Sequence, residues 1–177
     1  MTLGQIADPK GTFGRSAIPG SNRSHRQIAT YRNASTVAIP RGAVVVLSTL
    51  TTDGTGAAVS TVINDPLILG VAFTSASTGS TAGSSLAPAG AWFDVVTKGP
   101  AETIMTTGVT RGEIVGLGNS TAFAGAGTGG VAAAVTTAPG SGAHGILGYA
   151  LRASTDTNST GQLGVVYVDI SRYVTTA

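Results

Sequence analysis

The chain has no cysteine, only two histidines and only nine aromatic residues among its 177 positions. Without cysteine there is no disulfide framework, no thiolate metal site and no cysteine nucleophile. Charge is scarce as well, at 10% of residues, while 42% are hydrophobic. Disorder usually combines high charge with low hydrophobicity, so this balance points to a folded chain. No apolar run approaches the ~18–20 residues of a membrane span. The N-terminus lacks the apolar core of a signal peptide, so a soluble protein made in a cytoplasm is expected.

Small residues are abundant. Glycine alone occupies 26 positions, and Ser, Thr and Ala fill the stretches between short apolar runs. Those runs repeat. Ile39-Pro40-Arg41-Gly42-Ala43-Val44-Val45-Val46-Leu47 returns 70 positions later as Val109-Thr110-Arg111-Gly112-Glu113-Ile114-Val115-Gly116-Leu117. Leu67-Ile68-Leu69-Gly70-Val71-Ala72-Phe73 answers to Gly145-Ile146-Leu147-Gly148-Tyr149-Ala150-Leu151, at an offset of 78. A weaker pair sets Ala91–Val96 against Leu163–Val168, at about 72. Conserved runs with loops of changing length are what two copies of one supersecondary unit produce. Two copies are too few for an open solenoid, so they are expected to close around one core.

The coarse reading is all-β. Strands are expected at Thr36–Ile39, Ala43–Ser48, Val59–Ile63, Leu67–Phe73, Ala91–Thr97, Glu102–Thr107, Glu113–Leu117, Ala122–Gly130, Val131–Val135, Gly145–Leu151 and Gln162–Ile170. Asp53-Gly54 is a hairpin turn signal, and Asn64-Asp65-Pro66 and Lys98-Gly99-Pro100 read as turns. Gly70, inside a dense apolar run, suggests a bulge or a close backbone approach. No stretch holds a helical period. Many short strands with Gly-rich turns predict a small β-barrel or β-sandwich built from two related halves.

Residues 1–34 differ from the rest. Their apolar residues are too scattered for a helical or strand period, so an extended basic N-terminal arm is expected, with residues 35–177 as the body. The repeat then spans about 36–97 and 106–170. Net charge is only +2, but its distribution is uneven: Lys10, Arg15, Arg23, Arg26, Arg32 and Arg41 face Asp8 alone in the first 41 residues. Such an arm suits an acidic protein surface, because Arg makes bidentate contacts with carboxylates and Phe13, Ile18 and Ile28 can fill shallow pockets. The candidate contact residues are Lys10, Phe13, Arg15, Ile18, Arg23, Arg26, Ile28 and Arg32. A nucleic-acid partner is disfavoured, since Phe13 and Tyr31 provide no stacking platform.

Catalytic chemistry finds little support. Gly125-Ala126-Gly127-Thr128-Gly129-Gly130 matches the dinucleotide fingerprint formally, but that motif works only between a strand and a helix. His25 lies in the arm, and His144 sits among Gly and Ala. The acids are scattered, and Asp156-x-Asn158 lacks the remaining ligands of a calcium loop. No catalytic residue, metal or cofactor is expected, and the chain is not read as an enzyme.

These motifs carry a resemblance. The Arg-Gly turns with their β-branched runs, Leu69-Gly70-Val71-Ala72-Phe73, Trp92–Val96, and Ile146-Leu147-Gly148-Tyr149-Ala150-Leu151 resemble, over about residues 34–170, the capsid decoration (cement) proteins of tailed bacteriophages. The resemblance implies a small β-barrel or sandwich, often a homotrimer, on the outer capsid surface of a virion. It implies bridging of major capsid protein subunits at symmetry axes, with terminal arms lacing across the lattice. No membrane partner is implied. The alternatives are a tail, baseplate or head-fibre component, a carbohydrate-binding module, and a nucleic-acid-binding module. For the carbohydrate reading, Trp92, Phe93 and Phe73 lie in apolar runs and are expected in the core.

Overall fold

The computed structural model describes residues 26–73, 86–106, 108–118, 130–135, 142–153 and 162–175. Among them are eleven strands and no helix, so the chain is all-β. In order they are β1 (Gln27–Asn33), β2 (Ile39–Pro40), β3 (Val44–Leu47), β4 (Gly56–Ala58), β5 (Ile68–Phe73) and β6 (Leu86–Ala87), followed by β7 (Trp92–Met105), β8 (Ile114–Leu117), β9 (Ala132–Ala134), β10 (Gly142–Arg152) and β11 (Gln162–Thr175).

Nine of these strands form one sheet, in the order β1-β4-β3-β5-β7-β11-β10-β8-β9. Two further pairings close it into rings. β1 pairs with the first part of β7, and β9 pairs with the last residue of β7. The first ring is β1-β4-β3-β5-β7 and the second is β7-β11-β10-β8-β9, so the long strand β7 belongs to both. Closure removes the exposed edges that would otherwise template aggregation.

The registers make the duplication explicit. Val45 faces Gly70 in the first ring, and Val115 faces Gly148 in the second, preserving offsets of 70 and 78. Val71 faces Val96, and Tyr149 faces Tyr167, which sets the third offset at 71. Each Arg-Gly turn is held alike: Gly42 N donates to Ala72 O and Gly112 N to Ala150 O, both at 2.8 Å. Both turn glycines have positive φ, 87° and 90°.

A fourth repeated element was invisible in the sequence. β1 pairs antiparallel with Trp92–Lys98 and parallel with β4; residues 98–105 of β7 pair antiparallel with β11 and parallel with β9. Ala34 N donates to Ala57 O, and Thr106 N to Ala132 O. β1 is therefore the first-half counterpart of the second part of β7. The expected arm boundary at residue 34 is corrected accordingly: residues 27–33 are a ring-closing strand of the body. The second copy likewise starts near residue 98, not 106.

Other local expectations need correction. Lys98-Gly99-Pro100 is not a turn; β7 runs through it, because β1 and β5 ladder its first part and β11 its second. Val59–Ile63 is not a strand but part of a looped segment. Of the strand expected at Thr36–Ile39 only Ile39 is extended; with Pro40 it forms β2, paired with β6. Asp53-Gly54 sits in a longer β3–β4 loop, and β11 runs past the expected end at Ile170 to Thr175. Residues 122–129, part of an expected strand, lie outside the described residues, as do 74–85 and 154–161.

Two cores hold the body. Ile39, Val45, Ala57, Ala72, Phe93 and Val95 fill the first ring, joined by Ile104 and Val131 from the second. The other core contains Val115, Leu147, Ala150, Val166 and Val168, together with Val44, Val71 and Val96 from the first. The halves thus share buried apolar surface. A hydrogen-bonded loop also clamps them: Asn64 N donates to Leu117 O, and Gly145 N donates to Asn64 O at 2.7 Å. Asp65 holds that loop by accepting from Leu67 N and Ser60 Oγ.

Candidate interaction surfaces

The residues expected to bind a partner fall in two places. Lys10, Phe13, Arg15, Ile18 and Arg23 lie outside the described residues. Arg26, Ile28 and Arg32 are described, and all three are exposed. Arg26 stands immediately before β1, with its guanidinium carbon 5.1 Å from the centre of the Phe73 ring. Arg41, from the first Arg-Gly turn, approaches the same ring at 5.5 Å and lies 3.6 Å from Glu102. The ring's π-face attracts both cations. The start of the body is thereby tied to the end of β5.

Strand alternation decides what β1 and β7 expose. Ala29, Tyr31 and Asn33 turn inward, leaving Ile28, Thr30 and Arg32 outside. On β7, Phe93 and Val95 are buried, while Trp92 is 61% exposed and faces Arg32 across the strands. The expectation of a core Trp92 is corrected: the apolar run Trp92-Phe93 straddles two faces of a strand of period two. Beside them Thr30 Oγ1 donates to Asp94 Oδ1 at 2.9 Å, and Arg32 Nε donates to Gly90 O. Phe93 is in the core as expected, and Phe73 is half-buried.

Asn33 anchors the corner after β1. Its amide nitrogen donates to Val37 O and Ala87 O, both at 2.8 Å, and its carbonyl oxygen accepts from Ser35 N and Ser35 Oγ. This buried side chain is fully engaged in fixing the Ser35–Val37 bend.

A second surface was missed by sequence reasoning. On the outside of the second ring, Tyr149 sits directly between Ile114 and Tyr167. The two tyrosine rings are stacked, with centroids 5.3 Å apart and planes 17° from parallel. Ile114 is 52% exposed and Tyr149 is 42% exposed. The Lys98–Asp169 ion pair, at 3.6 Å, lies two residues along β11 from Tyr167.

Other expected chemistry can be placed in part. His144 lies half-buried on β10. The chain after Gly130 enters the three-residue strand β9, so no helix N-terminus follows the glycine-rich motif. Among the described residues, no group of three or more His, Cys, Asp or Glu side chains could hold a metal ion. No described helix is long and apolar enough to cross a membrane. His25 and Asp156-x-Asn158 lie outside the described residues. Comparison with known proteins finds no protein-family model that matches this chain and no matching curated protein.

Proposed function

We propose that this protein is a non-enzymatic viral structural protein that sits on the outer face of an icosahedral capsid and bridges major capsid protein subunits. The observation that carries the reading is the role of the motifs behind the capsid-decoration resemblance. Both Arg-Gly turns and both Leu-Gly bulges occupy equivalent registers and frame a doubled, closed β-body. A basic N-terminal segment meets that body at Arg26, fixed over Phe73. A rigid body plus a basic segment suits a protein that must grip an acidic protein lattice, and repetition over a shell multiplies modest contacts through avidity. Lys10, Phe13, Arg15, Ile18, Arg23 and Arg26 are the residues assigned to that grip. Ile28 and Arg32 belong to the body's own sheet.

The test is co-sedimentation of the full chain with undecorated capsid shells of the source virus. Saturation at a fixed ratio to the major capsid protein is expected, and a chain lacking residues 1–25 should remain folded and bind much more weakly. Absence of saturable binding by the full chain would overturn the reading.

A second reading, carbohydrate binding, is favoured by one observation, the 61% exposure of Trp92. It predicts glycan-array binding that disappears in Trp92→Ala.

A further inference from the structure

Among the described residues, the outward aromatic rings differ in what lies against them. Phe73 has the guanidinium of Arg26 at 5.1 Å and that of Arg41 at 5.5 Å. Tyr149 and Tyr167 stack on each other. Trp92, 61% exposed, has neither a stacked ring nor a cation against it. Its indole is the open aromatic surface of the body.

The polar groups around the indole are open too. Strand pairing sets Arg32 directly opposite Trp92, and Asp94 follows two residues along β7 on the same face. Two residues along a strand span about 6–7 Å, comparable to the breadth of one sugar ring. Arg32 uses only Nε, which donates to Gly90 O at 3.3 Å, so its terminal nitrogens have no hydrogen-bond partner among the described residues. Asp94 uses only Oδ1, which accepts from Thr30 Oγ1 at 2.9 Å, and it forms no ion pair among the described residues. Each group is pinned by one bond. Donors are left across the strands from the indole, and an acceptor along its own strand.

The floor beneath these groups is fixed. Asn33 N donates to Ala91 O, Gly90 N donates to Asn33 O, and Asn33 Nδ2 donates to Ala87 O, all at 2.8 Å. The turn into β7 is thus fastened to the end of β1. The three side chains stand in place before any ligand arrives, which lowers the ordering cost of binding.

We infer that Trp92, Asp94 and Arg32 form a subsite for one neutral pyranose unit, whose C–H face lies on the indole while neighbouring hydroxyls donate to Asp94 and accept from Arg32. The inference rests on the carbohydrate reading above, and adds which groups bind and which class of sugar they take. An indole offers a broad apolar face with negative potential, which suits the polarised C–H groups of a sugar. A hydroxyl both donates and accepts, whereas a carboxylate only accepts and a guanidinium only donates, so the pair reads both capacities. Both bonds are charge-assisted. The charges of Arg32 and Asp94 cancel, so the subsite has no net attraction for an ionised sugar. The open carboxylate of Asp94 would also repel a sugar acid or a phosphate brought onto the indole.

Glycan-array binding followed by titration calorimetry of the full chain tests it. The probes are neutral hexose and N-acetylhexosamine oligosaccharides, beside uronate- and sialate-bearing ones. The parent chain is expected to bind neutral glycans. Trp92→Ala and Asp94→Asn should each lose at least about tenfold in affinity. Tyr149→Ala, on the other ring, should bind as the parent does. Thermal melting checks the variants: Trp92 is exposed, and Asp94→Asn keeps an acceptor for Thr30, so both should melt as the parent does. Neutral-glycan binding unchanged in Asp94→Asn, or binding confined to charged glycans, would overturn this subsite and leave the carbohydrate reading standing. A parent chain that binds no sugar would overturn both.

Discussion

Gly148 lies against the backbone carbonyl oxygen of Tyr167 so closely that a Cβ on Gly148 would collide with it. Gly70 stands in the same relation to the carbonyl of Val96, its counterpart. Their φ angles, 153° and 149°, match as well, in a region that side-chain-bearing residues rarely adopt. Two independent constraints, backbone conformation and space, thus demand glycine at both bulges.

Gly70→Ala and Gly148→Ala should therefore each destabilise the body by roughly 3 kcal/mol or more, since strain and collision add. Gly54→Ala is the control. Gly54 also has positive φ, 72°, but a Cβ there meets nothing within 4 Å. It should cost only about 1–2 kcal/mol, the conformational part alone. Chemical denaturation of the three variants checks the ranking; equal losses would contradict it.

Truncation separates arm from body. Removal of residues 1–25 should leave the melting transition in place. Removal of residues 1–34 deletes β1, which closes the first ring against β4 and β7. That loss opens the core around Val95 and Ala57 and should abolish cooperative unfolding. A cooperative transition in the longer deletion would show that β1 is dispensable.

Asn33→Ala should cost roughly 3 kcal/mol, because it leaves Val37 O and Ala87 O without the amide donor in a buried corner. Asn33→Asp should also destabilise at neutral pH, since a carboxylate cannot donate to those two carbonyls. Calorimetry of both variants measures the effect. A loss below about 1 kcal/mol in each would mean that the corner does not depend on this side chain.

Among the described residues, Asp53 supplies the clear pH signature. Hydrogen bonds from Thr55, chiefly from its backbone N–H at 3.0 Å, hold the carboxyl below its ordinary value of 3.8. A depressed carboxyl stabilises the fold above its unfolded pKa, and that contribution is lost as pH falls through the lower folded value. The Thr55 amide resonance should accordingly titrate below pH 3.8. A midpoint above that value would contradict the bond.

The framework was legible because its constraints are local and were written twice. Arg-Gly turns need a positive φ, and the Leu-Gly bulges need both space and an unusual backbone, so both copies kept glycine. The β1 repeat was illegible for the opposite reason. Ala29 and Ala101 match, but inward-facing Asn33 and Met105 do different jobs: one fixes a bend by hydrogen bonds, the other fills a core. Trp92 misled because Val96, on the same outward face, is buried by the other half, which made the whole run look apolar. The open row at Ile114 and Tyr149 emerges only once the registers show which residues correspond.

Imaging of undecorated capsid shells after incubation with the full chain is the most direct test of the functional account. The account predicts added density on the outer surface at the positions between capsomers, with a β-body the size of residues 26–175 and contact reaching neighbouring capsid subunits. Bare shells under saturating protein, with the chain found instead on tails or on free DNA, would contradict it.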